Sequence, residues 1–162
     1  MKAAIIFGSQ SDKPVMQKAG EVLREVGVEF SVHVLSAHRA PELLTDTLRK
    51  LEDGGVEVII AGAGLAAHLP GIIASRTLVP VIGVPIVSGS LGGLDALYSI
   101  VQMPRPIPVA AVGLDNAANA AYLACEILAV KYPEMREKLA DFRARMKADF
   151  ERDHVQDRGG EE

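Results

Sequence analysis

Short apolar runs alternate with longer stretches of helical periodicity along the first 130 residues, and this alternation most constrains the fold. The first run, Ala3–Phe7, is apolar at every position, which is typical of a strand buried on both faces of a parallel sheet. Apolar residues then recur at helical spacing from Val15 to Val26, and Gly27 follows as a stop signal. A strand followed by a helix and another strand predicts a βαβ unit with a right-handed crossover.

The same pattern recurs along the chain. The predicted strands are Ala3–Phe7, Phe30–Leu35, Val56–Ala61, Val79–Val84 and Val109–Val112. The predicted helices run from Pro14 to Gly27, from Pro41 to Gly54, around Leu69–Ser75, over Leu94–Val101, and from a cap at Asp115 or Asn116 to Val130. Five such strands predict an α/β fold, a flavodoxin-like three-layer α/β/α sandwich with a five-stranded parallel sheet over residues 1–133.

The last segment differs in composition. From Glu134 to Glu162, 16 of 29 residues are charged, against 22 of the 133 residues before them. Apolar residues within it are spaced by 4, 3, 4 and 4, which predicts one apolar stripe on a helix over residues 134–154. The stripe consists of Met135, Leu139, Phe142, Met146 and Phe150. We expect it to pack on a neighbouring subunit rather than on its own domain, and we expect residues 155–162 to form a disordered tail.

Composition excludes several classes of function. A formal net charge of −4 argues against nucleic acid as a partner, and no apolar run reaches the ~18 residues that a membrane span needs. Met1-Lys2 leads directly into a strand-like run, so we expect no signal peptide. Cys125 is the only cysteine and fits a reducing cytoplasm, where we expect the protein to work; its mid-helix position predicts a core thiol.

Ligands of open parallel sheets bind outside the carboxyl ends of the strands, and here four loops follow strands. They are Gly8–Asp12, Ser36–Arg39, Gly62–His68 and Pro85–Gly93. In the first loop, free N–H groups before a helix and the hydroxyls of Ser9 and Ser11 suit a phosphate, while Asp12 suits ribose hydroxyls. The alternative is a tight turn in which Asp12 is only the helix N-cap.

The second loop carries Ser36, His38 and Arg39. A guanidinium group can hold a phosphate or carboxylate through two N–H groups, and it would do so beside the first loop. The alternative is a surface arginine with a histidine that caps the next helix. His38 and Glu42 are four residues apart, a spacing too common to indicate zinc, and we expect no metal or cofactor.

The third loop is almost bare of side chains. Every residue from Ala61 to Ala67 except Leu65 is glycine or alanine, and His68 follows. Small residues let the backbone approach a ligand closely, and a histidine at the end of such a loop can move protons near neutral pH. The alternative is a structural histidine that is hydrogen-bonded to nearby backbone.

These loops resemble the class I N5-carboxyaminoimidazole ribonucleotide mutases of purine biosynthesis over about residues 3–130. The matching motifs are Gly8-Ser9-x-Ser11-Asp12, Ser36-Ala37-His38-Arg39, Ala61-Gly62-Ala63-Gly64-x-Ala66-Ala67-His68-Leu69-Pro70-Gly71 and Leu97-Tyr98-Ser99-Ile100-Val101-Gln102-Met103-Pro104. The related class II enzymes, which carboxylate aminoimidazole ribonucleotide with CO2, have an Arg-Ser-Asn-type sequence after the third strand that this chain lacks.

The resemblance implies a homo-octamer that uses neither metal nor ATP, with His68 as the catalytic acid/base. It implies that a small-molecule ribonucleotide is bound by Ser9, Asp12 and Arg39. The full predicted substrate-binding set is Gly8, Ser9, Ser11, Asp12, Ser36, His38, Arg39, Gly64 and Ala66. The implied reaction moves a carboxylate from the exocyclic nitrogen of the imidazole to ring carbon 4, with Gly62 to Ala67 as a dry wall around released CO2.

The chain departs from the family pattern at three places. Leu65 stands where the family usually has glycine, so a positive φ there would strain the backbone. Val87 replaces a common glutamine, and Ser90-Leu91-Gly92-Gly93 alters the usual fourth loop.

Other functions stay open at this point. An aminoimidazole ribonucleotide carboxylase would use CO2 directly, and an inactive assembly protein would keep the fold and the octamer without activity. A flavin mononucleotide or nucleotide-binding module on the same fold would need aromatic side chains over the flavin, which the four loops lack. A phospho-receiver domain is excluded, because the third strand ends in Ala61-Gly62 instead of aspartate.

Overall fold

The computed structural model describes residues 1–157 as five strands, six α-helices and one short 3-10 helix. The strands are β1 (Lys2–Phe7), β2 (Glu29–Val34), β3 (Val58–Gly64), β4 (Val81–Ile86) and β5 (Ala110–Ala111). The α-helices are α1 (Lys13–Val26), α2 (Pro41–Asp53), α3 (His68–Ala74), α4 (Leu94–Val101), α5 (Ala117–Ala129) and α6 (Pro133–Asp157), and the 3-10 helix is Gln10–Asp12. No helix of this described part is both long and apolar enough to cross a membrane.

The five strands form one parallel sheet in the order β2-β1-β3-β4-β5. The chain passes from β1 outward to β2 and then crosses back to β3, so the direction of winding reverses between β1 and β3. In doubly wound sheets this reversal opens a crevice at the carboxyl ends of the two strands. The predicted flavodoxin-like α/β fold is confirmed, and its topology places a ligand crevice beside β1 and β3.

Alternate residues of each strand supply two separate cores. Ile5 and Ile60 pack on one face of the sheet with α1, α5 and the start of α6. Ile6 and Ile59 pack on the other face with α2, α3 and α4. Burial on both faces explains why β1, β3 and β4 are apolar almost throughout, whereas the edge strand β2 carries Glu29, Ser31 and His33.

Two strands extend further than the sequence predicts. Strand β3 was predicted to end at Ala61, but it runs to Gly64 because Gly62, Ala63 and Gly64 pair with Val84, Pro85 and Ile86. Strand β4 correspondingly includes Pro85, the first residue of the loop that the sequence predicts over Pro85–Gly93. Glycine and proline discourage strands in isolation, but pairing with a buried neighbour overrides that preference.

Helix α6 corrects the prediction for the C-terminal segment. Its first turns cover the chain's own domain, since Met135 and Leu139 are buried and Phe142 packs on Tyr122 of α5 with ring centroids 5.0 Å apart. Met146 and Phe150 are 57% and 74% exposed, so only this second half of the stripe is left uncovered by the described chain. The helix continues to Asp157, past the predicted boundary at 154, and residues 158–162 of the predicted tail lie outside the described residues.

Local signals placed other elements correctly. Gly27 ends α1 with φ 75°, and the Asn116 side chain accepts the Asn119 N–H at the start of α5. Strand β5 is the shortest, with two residues.

Cys125 is a buried core thiol, and burial, with the nearby Glu126 charge, raises its pKa to about 11.

Candidate functional site

The loops after β1, β2 and β3 enclose a cleft of about 480 Å³ at the carboxyl edge of the sheet. All ten residues predicted for the site line it, namely Gly8, Ser9, Ser11, Asp12, Ser36, His38, Arg39, Gly64, Ala66 and His68. The remaining lining residues are Ala37, Ala63, Leu65, Ala67, Leu69 and Ser88. The topology therefore brings together residues that are up to 80 positions apart in the sequence, from Gly8 to Ser88.

The first loop is held by its own side chains. The Ser9 hydroxyl accepts hydrogen bonds from the Ser11 N–H (3.3 Å) and the Ser11 hydroxyl (2.9 Å). The Asp12 carboxylate accepts the Ser9 N–H at 3.1 Å, which completes a capping box around the 3-10 helix. These reciprocal bonds fix the loop in one shape and leave Ser9, Ser11 and Asp12 along the cleft.

Asp12 is at the N-cap position of α1, as predicted, but its side chain makes no capping hydrogen bond there. Ser9 caps the 3-10 helix one turn earlier, and Asp12 lies in helical conformation. Partial burial raises the pKa of Asp12, and hydrogen bonds from Ser11 and Ser9 oppose that rise. The hydrogen bonds from Ser11 and Ser9 thus offset part of the cost of desolvating this carboxylate at the edge of the cleft.

Arg39 links the second loop to the first. Its guanidinium group donates to the Gly8 carbonyl at 2.9 Å, and its backbone N–H donates to the Ser36 hydroxyl at 3.2 Å. A guanidinium group has five N–H donors, so one bond to Gly8 leaves most of them for a ligand. Arg39 is an exposed arginine, but its guanidinium group is anchored beside the serine-rich loop.

Two histidines from different loops meet in the cleft. The His38 Nε2 atom lies 2.8 Å from the His68 Nδ1 atom, and the rings are nearly perpendicular with centroids 5.0 Å apart. Both side chains are exposed, and His68 begins α3. The alternative that His68 bonds only to nearby backbone is therefore replaced by a side-chain pair, which the sequence spacing of 30 residues did not predict.

The backbone after β3 is strained at two residues. Leu65 and Ala67 have φ values of 54° and 41°, and the Ala67 N–H closes the turn on the Gly64 carbonyl at 3.0 Å. A residue other than glycine in this region costs about 1–2 kcal/mol. Leu65 therefore has the positive φ that would strain a residue other than glycine, as the sequence comparison with the family pattern anticipates.

Gly62 does not belong to the wall of the cleft as predicted. A Cβ atom at this position would collide with the Met16 side chain of α1. Gly62 therefore faces the core between the sheet and α1. The wall of small residues begins at the next residue, Ala63, and continues to Ala67. The side chain of Ala63 points to the opposite face of the sheet. The glycine at position 62 is explained by helix packing instead of ligand approach.

Ser88 is a lining residue that the sequence analysis did not single out, although it lies within the predicted fourth loop. It stands against β3, because a Cβ on Gly64 would come within 2.9 Å of the Ser88 Cβ atom. The only sequence feature that indicates a role for Ser88 at the cleft is its position in a loop that follows a strand. Within residues 1–157, no group of three or more potential metal-ligating side chains lies close together.

Comparison with known proteins gives a consistent result. The family model described as AIR carboxylase matches residues 2–149. A protein of Pyrococcus abyssi named N5-carboxyaminoimidazole ribonucleotide mutase is 59% identical over 146 residues, which are 90% of this chain and 84% of the relative. The Escherichia coli K12 protein of the same name is 53% identical over 88% of this chain and 85% of its own length.

The fold is also found among solved structures. The crystal structure of Treponema denticola PurE matches with a TM-score of 0.85 and 26% identity, and the match covers 99% of each chain. The similarity therefore extends over the whole described architecture, including the strands and helices that carry the cleft.

Proposed function

Because this chain belongs to the AIR carboxylase family, we infer that it catalyses the N5-carboxyaminoimidazole ribonucleotide mutase reaction of purine biosynthesis. The product is 4-carboxy-5-aminoimidazole ribonucleotide. The observation that carries this inference is the 59% identity to a mutase over 90% of the chain. The meeting of all ten motif residues in one cleft supports it.

The reaction makes two demands on the site. The carbamate C–N bond breaks, the electron pair stays on nitrogen, and that nitrogen takes a proton while CO2 is released. Ring carbon 4 then attacks CO2, and the new C–C bond is retained when carbon 4 loses its proton. The enzyme must therefore give one proton, accept another, and keep CO2 beside the ring between the two steps.

The first two loops hold the ribonucleotide in this proposal. Arg39 and the hydroxyls of Ser9 and Ser11 contribute donors for the phosphate, and Asp12 accepts from the ribose hydroxyls. Ser36 bonds to the backbone of Arg39 and so positions the second loop. Binding energy from these remote groups orients the imidazole ring, which is the reacting part, toward the histidines.

His68 is the acid/base in this proposal, and its partner His38 makes the two rings one proton-handling unit. When both rings are neutral, the bond between His38 Nε2 and His68 Nδ1 holds a single hydrogen. One of the two outward nitrogens, His38 Nδ1 or His68 Nε2, then carries a hydrogen, and the other is bare. With one further proton on the pair, both outward nitrogens carry a hydrogen. In this proposal His68 Nε2 gives its hydrogen to the substrate nitrogen and is left bare in the neutral pair. It then takes the proton from ring carbon 4, so the pair ends in the protonation state in which it began.

The wall from Ala63 to Ala67 lies on the CO2 side in this proposal. Apart from the isobutyl group of Leu65, its side chains are methyl groups or hydrogen, and none of them is polar. Exclusion of water there slows the hydration and escape of CO2, and the small residues leave space for the gas beside the ring.

The test is an ultraviolet assay of the purified protein with N5-carboxyaminoimidazole ribonucleotide and without ATP, in parallel with aminoimidazole ribonucleotide plus bicarbonate. We expect rapid formation of the 4-carboxy product from the first substrate. Turnover only from the second mixture would assign direct carboxylation instead. No turnover from either would favour an inactive assembly protein.

We further propose that the chain forms a homo-octamer. The exposed Met146 and Phe150 on α6 give a subunit contact an apolar surface, and the family resemblance supplies the number of subunits. Light scattering after size-exclusion chromatography tests this: a mass of eight 17.2 kDa chains is expected, and a monomer would overturn it.

We place this activity in the cytoplasm. The substrate is a phosphorylated intermediate that does not cross membranes, so its enzymes must share a compartment. Detection of the protein in a membrane or secreted fraction of its cell, and not in the cytosolic fraction, would contradict this location.

A further inference from the structure

Leu65 differs from every other residue that lines the cleft. The remaining lining side chains are polar, or are glycine or alanine, apart from Leu69, which is buried at 4% exposure. Leu65 is 56% exposed. Among the cleft-lining residues of the described chain, it is thus the one large apolar side chain that presents its surface.

The conformation of Leu65 is costly, and its neighbours accommodate it. Its φ of 54° lies in the region that favours glycine, yet the side chain is leucine. If Gly89 carried a Cβ atom, that atom would lie 2.8 Å from the Leu65 Cδ2 atom. The leucine side chain therefore packs directly on the backbone of the loop after β4. Gly89 itself has φ 70°, and its lack of a side chain is what leaves room for the leucine.

This contact joins two walls of the cleft. Regular pairing between β3 and β4 ends at Gly64 and Ile86. Beyond it, Gly64 meets Ser88 and Leu65 meets Gly89, so the two loops remain side by side past the end of the sheet. The isobutyl group reaches from the loop after β3 to the loop after β4, on the side of the cleft that the residues from Ala63 to Ala67 line.

We propose that Leu65 is the residue that retains CO2 between decarboxylation and recarboxylation, a role that rests on the proposed mutase function. CO2 is neutral and apolar while it is free, so an apolar side chain across the gap holds it without a specific bond. Escape of CO2 leaves aminoimidazole ribonucleotide, and entry of water hastens its hydration. An advantage in retention explains why a side chain stands at a position whose backbone favours glycine.

The test uses substrate labelled with 13C in the carbamate carboxyl group, in buffer with unlabelled bicarbonate, over times shorter than the spontaneous loss of the carbamate. Mass spectrometry measures the label that remains in the 4-carboxy product. We compare the wild-type chain with Leu65→Ala, which removes the isobutyl group and keeps the strained φ, and with Leu65→Gly, which removes both. Leu78→Ala is the matched control, because Leu78 is fully exposed outside the cleft.

We expect wild-type and Leu78→Ala enzymes to retain the label, and both Leu65 variants to increase the fraction of turnovers that lose it by roughly ten-fold. Retention of the label by Leu65→Gly, which relieves backbone strain and therefore folds, would overturn the role of Leu65. Equal loss in Leu78→Ala would also overturn it. Absence of product from the wild-type chain would instead overturn the proposed function.

Discussion

The His38 Nε2 atom and the His68 Nδ1 atom lie 2.8 Å apart, although the two residues come from loops after different strands. A hydrogen bond between two neutral imidazole rings fixes both tautomers, because the ring that donates at its inner nitrogen has a bare outer nitrogen and the other ring carries its hydrogen on the outer nitrogen. Substitution of either ring therefore removes a hydrogen-bond partner of the other. In the proposed mechanism the two residues act as a unit, so we expect their effects on catalysis not to be independent.

We expect His68→Asn and His38→Asn each to lower kcat by roughly 10²–10⁴-fold, the range of a lost general acid/base. The double variant should be little worse than either single variant, as is found for residues that work together. Steady-state rates give kcat, and calorimetric titration with the product checks that binding is largely retained. Retained turnover in His68→Asn would remove it from the mechanism, and multiplicative losses would show that the rings act separately.

Arg39→Ala should raise KM by roughly 10–100-fold, since a hydrogen bond to a charged group contributes about 1.5–3 kcal/mol. The effect on kcat should be smaller, because the guanidinium group contacts the remote part of the substrate in the proposed complex. Arg49→Ala is the control, as Arg49 is an exposed arginine of α2 paired with Asp46. An unchanged KM in Arg39→Ala would exclude Arg39 from the binding site.

The cleft could be predicted in large part because its residues sit at strand ends. Parallel topology places Ser9 and Arg39 at the same edge of the sheet, independently of their side-chain conformations. The direct bond between His38 and His68 was not predictable, since it depends on the rotamers of two residues 30 positions apart. Interpreting the small residues after Ala61 as a loop failed for a related reason: pairing partners in β4 decide where β3 ends.

Glu57 allows a test of pH dependence at the other end of the sheet. Its carboxylate accepts hydrogen bonds from the Lys131 ammonium (2.6 Å) and the Tyr132 hydroxyl (2.9 Å). Burial acts to raise its pKa, but the bonds from Lys131 and Tyr132 together outweigh burial, and the pKa of Glu57 is lowered from its ordinary 4.5. A lowered pKa in the folded state means stability that is present above 4.5 and lost as pH falls through the folded value.

Glu57→Gln should therefore lower Tm at pH 7 by about 2–4 °C, the shift that ~1 kcal/mol causes in a domain of this size. The difference from wild type should shrink as the pH falls below 4.5 and vanish once wild-type Glu57 is protonated. Calorimetric scans between pH 3 and 7 measure it. A difference that is constant with pH would show that the charge of Glu57 is not the stabilising property.

The close approach of Gly62 to Met16 leads to a prediction that separates fold from site. A methyl group at position 62 would overlap the Met16 side chain, so Gly62→Ala should destabilise the fold by about 1–3 kcal/mol through overpacking. Gly8→Ala is the control for stability, since a Cβ there meets nothing within 4 Å. Denaturant unfolding measures both variants.

The double variant Met16→Ala with Gly62→Ala tests the cause. Met16→Ala alone should cost about 2–5 kcal/mol, because it opens a cavity in the core. The new methyl group at position 62 occupies part of that cavity, so the double variant should be more stable than the sum of the two single effects predicts. Additive losses would mean that the two side chains do not share this space.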